Sequence, residues 1–177
     1  RDARVAMTPA ELKPDRRELP AGVQLIVHSD ACSPAIQHKA AYSSTPLTDV
    51  APKAYTIFDV PISILNTLTL VGLEMTSKQM DLTMNFFALG LMFWLYERSM
   101  EPTIRWVDTH FGAKPILAEA NKRALKAGYA FGAPTEMFHT HYRVRPTKLT
   151  PRTHRNLSAN EATAPRSVAD RALAKRR

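Results

Sequence analysis

Two short runs, Val23–Val27 and Tyr55–Val60, are apolar at nearly every position. A strand with one wet face alternates apolar and polar residues, so a run without that alternation needs cover on both faces. The two runs are separated by a long connection rather than a tight turn, which favours a parallel βαβ-type pairing over a hairpin. The expectation is therefore two neighbouring parallel strands covered by helices. An earlier run, Val5-Ala6-Met7, reads as a strand tip. Thr8 follows as a candidate cap, Pro9 suits a first helical position, and Glu11 completes a capping-box spacing. Pro14 would stop that helix, and Pro20-Ala21-Gly22 reads as a turn.

The second half changes period. From Ser63 to Val71 the pattern is helical and Gly72 stops it. Thr76 or Ser77 caps a long helix that reaches Tyr96. Glu101-Pro102 opens another, with Ile104, Val107 and Phe111 on one face and Gly112 at its end. Lys114-Pro115 opens the last, with Leu117, Ala120, Ala124 and Ala127 on one face and Gly128 near its end. Between the strands, His28 to Lys53 is irregular, with a short helix near 34–40. Residues 139–151 read as extended, and no internal repeat is present.

Met84–Tyr96 is the greasiest stretch, bracketed by Asp81 and Glu97 with 15 residues between them. A spanning helix needs about 20, so this reads as a buried helix, a main source of core burial and a partner-facing surface. No signal peptide precedes it, and a cytoplasmic protein is expected. The chain's 177 residues bound it to one domain, or one with a short tail. The formal charge of +8 is localised: residues 143–177 carry 10 Lys/Arg against 2 Asp/Glu, and the rest is balanced. The basic tail, including Arg166 to Arg177, lacks interleaved aromatics for base stacking. A solvated tail is favoured over a nucleic-acid contact.

Chemistry is thinly signalled. The six glycines are scattered, so no phosphate loop can be assigned. The single cysteine, Cys32, excludes a disulfide framework and an iron–sulfur cluster held by this chain alone. Nothing near Cys32 in sequence would lower its pKa. His139 and His141 sit two apart in an extended stretch and could share a face as metal ligands. No third ligand is tied to them by spacing, and solvent-facing histidines are the plainer reading. No catalytic, cofactor-binding or metal residue is assigned.

Several blocks, in order, resemble the gamma domain of 2-oxoacid:ferredoxin oxidoreductases, in the form fused ahead of the alpha domain in one alpha-type subunit. Thr8-Pro9-Ala10-Glu11-Leu12-Lys13 is similar to the family's NPAALK. Pro20 to Ala31 is similar to PGGTLIVNTDA. Ala41-Tyr42 with Thr45-Pro46-Leu47 and Val60-Pro61-Ile62 resemble GY…NPLED and VPMT. Asn85-Phe86-Phe87-Ala88-Leu89-Gly90 resembles KNMFALG. Lys114-Pro115 and Glu119 to Tyr129 resemble KKPEVAEANRRALRAGY, and Arg155 to Ala162 resembles YRNITGNEA, which opens the alpha domain.

The resemblance implies an α/β fold: a partial Rossmann-like gamma domain with parallel strands and a helix-rich second half. It implies a gamma-type domain over 1–135, an extended linker over 136–162 and a basic, disordered tail over 163–177. It further implies a complex that oxidatively decarboxylates a 2-oxoacid, 2-oxoglutarate or a related acid, to an acyl-CoA. Thiamine diphosphate with magnesium, an iron–sulfur cluster and coenzyme A serve the parent complex, with a beta-type subunit and ferredoxin as partners. The Gly-rich start of the gamma domain and the YPITP segment of the alpha domain have no counterpart here, and Ala159 stands where the family has Gly. The expectation is thus a truncated piece that contributes structure and assembly and is inactive alone. The alternative is a non-enzymatic relic or interaction module.

Overall fold

The computed structural model describes residues 3–8, 11, 22–31, 56–133 and 141–144. All lie in the first of the two units into which the chain divides, Arg1–Val144. Cys32, His38, His139, His154, the 34–40 helix and the basic tail from residue 145 onward lie outside the described residues.

Three strands, β1 (Ala3–Ala6), β2 (Gln24–His28) and β3 (Thr56–Val60), form a parallel sheet in the order β1-β2-β3. The register places Val5 beside Ile26 and Ile26 beside Phe58. Four helices follow: α1 (Ile62–Thr69), α2 (Ser77–Leu95), α3 (Glu101–His110) and α4 (Pro115–Gly132). The predicted α/β class and the parallel pairing of the two apolar runs are both present.

Cover is not equal on the two strands. Every residue of β2 is buried, the apolar Leu25, Ile26 and Val27 together with the polar Gln24 and His28 at its ends. β3 instead leaves Thr56 and Asp59 exposed while burying Phe58 and Val60. The expected two-sided cover therefore holds for β2 but not for β3, whose Asp59 needs water. Ile26, Phe58 and Val60 join Ile62 of α1, Phe87, Ala88, Leu91 and Leu95 of α2, and Ala124 of α4 in one core.

The α2 N-terminus is fixed as its sequence dictates. Thr76 accepts from the Gln79 amide while the Gln79 side chain accepts from the Thr76 amide, a complete capping box. At the other end Glu97 takes φ 47°. Glu97 N–H donates to Trp94 O and Arg98 N–H to Phe93 O, a Schellman closure with glutamate where glycine is usual. The helix expected after Thr8 lies largely outside the described residues. The Glu11 carboxylate accepts from the Met7 amide at 2.9 Å, one residue earlier than Thr8.

α2 and α4 meet through glycine. A Cβ added at Gly90 would run into the Leu125 carbonyl, and one at Gly128 into the Phe87 carbonyl. Gly132 lies against the Trp94 ring in the same way. Gly128 is thus a packing residue inside the last turns of α4, which ends at Gly132, in keeping with its expected place near the helix end. Two backbones approach where neither carries a side chain, and close packing leaves no room for one.

The α2 helix is the expected source of burial: Phe87, Leu91 and Leu95 are fully buried. Phe86, Met92, Phe93 and Trp94 are half-buried, and Leu82 and Leu89 are exposed. No helix among the described residues is long and apolar enough to cross a membrane.

Candidate functional site: the carboxyl edge of the sheet

Three parallel strands bring their carboxyl ends to one edge, where open α/β sheets form their binding crevices. Here that edge carries Met7, His28, Asp30, Pro61, Ser63 and Ile64. Their arrangement begins with Pro61. It stands at the N-cap of α1 and has no side-chain oxygen to give, so no cap bond comes from that position. The amides of Ser63 and Ile64 need acceptors from elsewhere.

β2 supplies them. The Ser63 amide donates to His28 Nε2 at 3.2 Å, and the Ile64 amide donates to Asp30 Oδ2 at 3.1 Å. The other ring nitrogen, Nδ1, lies 3.2 Å from the Met7 carbonyl. A carbonyl only accepts, so this bond assigns the proton to Nδ1 and leaves Nε2 as the acceptor that the Ser63 amide requires. Ser63 Oγ also lies 2.8 Å from Nε2. His28 is 4% exposed, and through these bonds it ties the end of β1, the end of β2 and the start of α1 together.

A serine hydroxyl on an imidazole nitrogen is one starting geometry for a nucleophile. Here the Ser63 amide shares that nitrogen and Asp30 already serves the next amide. The cluster satisfies the helix end with its own groups, and its chemistry is that of a joint. Nothing in the sequence pattern marked His28 and Ser63, because they are 35 positions apart.

The two other described histidines, His110 and His141, fall into aromatic contacts. His141 packs edge-on against Trp94 at 4.0 Å between ring centroids, so the second half of the proposed His139–His141 ligand pair sits on an indole. Tyr142 stacks on Tyr96 and its amide donates to the Leu95 carbonyl at 2.8 Å. Residues 141–142 thereby close one of the last carbonyls of α2. His110 stacks on Trp106 one turn away, 4.6 Å between centroids. Among the described residues no three His, Cys, Asp or Glu side chains converge as a metal site.

Charge on α4 is paired locally. Arg123 Nε bonds Glu119 Oε1 at 2.8 Å, and Lys122 Nζ bonds Asp108 Oδ1 at 2.8 Å, joining α4 to α3. The Arg123 hydrogen bond holds the Glu119 carboxyl below its ordinary value, with the Arg123, Lys122 and Lys126 charges adding to it against slight burial. The bond to Asp108 raises the Lys122 ammonium. A groove between the α2 and α4 N-termini is lined by Glu74, Gln79, Lys114, Pro115, Ile116 and Leu117; it carries one charge of each sign.

Parallel strands with a helix-rich second half define a partial Rossmann-like α/β protein, its carboxyl edge closed by its own side chains. Over 163 residues, 92% of its length, the chain is 36% identical to the 2-oxoglutarate oxidoreductase subunit KorA of Mycobacterium tuberculosis (strain ATCC 25618 / H37Rv). The resemblance carried by the motif blocks is thereby borne out: the chain is similar to part of a 2-oxoacid oxidoreductase subunit. It spans about a quarter of the length of that curated relative, 25%. No family model matches the chain, and no solved structure is significantly similar to it.

Proposed function

We propose that this chain forms the gamma-type part of an alpha-type subunit in a 2-oxoacid:ferredoxin oxidoreductase, contributing structure and assembly and no catalytic residue. The observation that carries the reading is the 36% identity over 92% of the chain to KorA. The finer points rest on the same likeness. The substrate is 2-oxoglutarate or a related 2-oxoacid, the partner is a beta-type subunit, and ferredoxin receives the electrons in the cytoplasm. Residues 1–135 are the gamma-type domain and 136–162 the connection toward alpha-type sequence.

Thiamine diphosphate, magnesium, an iron–sulfur cluster and coenzyme A are the groups such a complex uses. The described residues do not fit the first three. No metal-ligating trio is present among them. Gly90, Gly128 and Gly132 are consumed in helix packing, and the amides at the carboxyl edge are occupied by His28 and Asp30. No chemical step is therefore derived through these groups.

The test supplies purified chain with thiamine diphosphate, magnesium, coenzyme A, a panel of 2-oxoacids and a viologen dye. The expected result is no dye reduction above the blank, together with co-purification of a beta-type subunit when the two are co-expressed. Reduction that survives metal-free repurification would overturn the structural role.

A further inference from the structure

The outward face of α1 is the least explained surface among the described residues. Ile64, Leu68 and Val71 are 58%, 65% and 71% exposed. Their spacing of four and three puts them on one side of the helix and its closing turn. The opposite side is spent: Ile62, Asn66 and Leu70 are buried, and Asn66 Nδ2 bonds Thr83 Oγ1 of α2 at 2.8 Å. No charged residue occurs between Asp59 and Glu74. A wet helix face ordinarily carries charge, as it does beside two other exposed apolar residues. Leu82 follows Asp81, and Trp106 follows Arg105 on a helix opened by Glu101.

Area decides what can cover this stripe. An eight-residue helix is only about 12 Å long, and three side chains fall far short of the roughly 800 Å² that each partner contributes to a stable complex. Two free copies meeting through α1 would not hold. A partner already kept alongside by a chain connection or by other contacts bears little of the association cost, and for it a small neutral patch suffices. The curated relative has such a partner in its own chain, since three quarters of its length lies outside the match.

We propose that the Ile64–Leu68–Val71 face of α1 is where the remainder of an alpha-type subunit packs, through an uncharged apolar surface. This rests on the proposed function. The experiment replaces the matched quarter of the M. tuberculosis KorA with this chain and follows amide exchange of peptide 62–73. The same peptide is measured in the isolated chain, with a peptide over 101–110 as reference. The expected result is exchange at least tenfold slower in the chimera at 62–73. Leu68→Glu should abolish that difference, Leu68→Gln should reduce it, and neither should alter the isolated chain's fold by circular dichroism.

Equal exchange in chimera and isolated chain, with the chimera folded, would overturn the docking face and leave the family reading intact. A chimera that does not fold with the wild-type sequence would overturn both. A dimer of the isolated chain, seen by light scattering and dissolved by Leu68→Glu, would assign the face to a second copy and overturn the proposal.

Discussion

Gly90 and Gly128 are where a single atom matters most. Each would place a new Cβ inside a backbone carbonyl of the facing helix, and backbone cannot rotate away as a side chain can. Overpacking a tight contact costs about 1–3 kcal/mol. Gly128→Ala should therefore lower the thermal midpoint by several degrees, with Gly90→Ala acting alike and Lys126→Ala, on the exposed face, near neutral. Alanine tolerated at both glycines would contradict the described α2–α4 contact. Glu119 makes a second prediction. Its carboxyl is held low chiefly by the Arg123 hydrogen bond. A lowered folded-state value means the stabilisation is present above the unfolded-state pKa and fades as pH falls through the folded value. The pair is largely exposed, so its worth is below about 1 kcal/mol. Carboxyl NMR should place the Glu119 titration below the ordinary 4.5, and Arg123→Gln should raise it.

Between elements, the end of α2 carries a local cost. Glu97 is held at φ 47°, a conformation that disfavours a residue bearing Cβ by about 1–2 kcal/mol. Against it stands the exposed ion pair to Arg143, 3.3 Å apart, worth less. Glu97→Gly should stabilise the chain by about 1 kcal/mol, raising the midpoint of chemical denaturation without changing its slope. A lower midpoint would mean that the Arg143 contact outweighs the backbone. The strands and helix starts were legible in the sequence because each is announced locally, by the near-continuous apolarity of 23–27 or by a cap at Thr76 or Ser77. What was not legible is set by pairs distant in sequence. Gly128 reads as a residue near a helix end, but its packing role is not legible, because the Phe87 carbonyl it faces lies 41 positions away. His28 gave no signal because its partner Ser63 is on another element. The stretch from Ser63 to Val71 reads as ordinary helix, since absence of charge alone does not distinguish a core from an interface. β3 lost its expected outer cover at Asp59, the one charged residue in that run.

For the whole molecule, the described part forms its own core and closes the carboxyl edge of its sheet with its own side chains. Among its described residues the outward side of α1 is exposed, and no three His, Cys, Asp or Glu side chains converge. The central claim is that this chain can stand in the place of the quarter of KorA that it resembles. The direct measurement is 2-oxoglutarate-dependent viologen reduction by the M. tuberculosis oxidoreductase assembled with chimeric KorA carrying this chain. A KorA bearing an unrelated α/β domain of equal size is the reference. The account predicts dye reduction within about tenfold of the native enzyme for the chimera and none for the reference. A folded, assembled chimera with no more activity than the reference would contradict it.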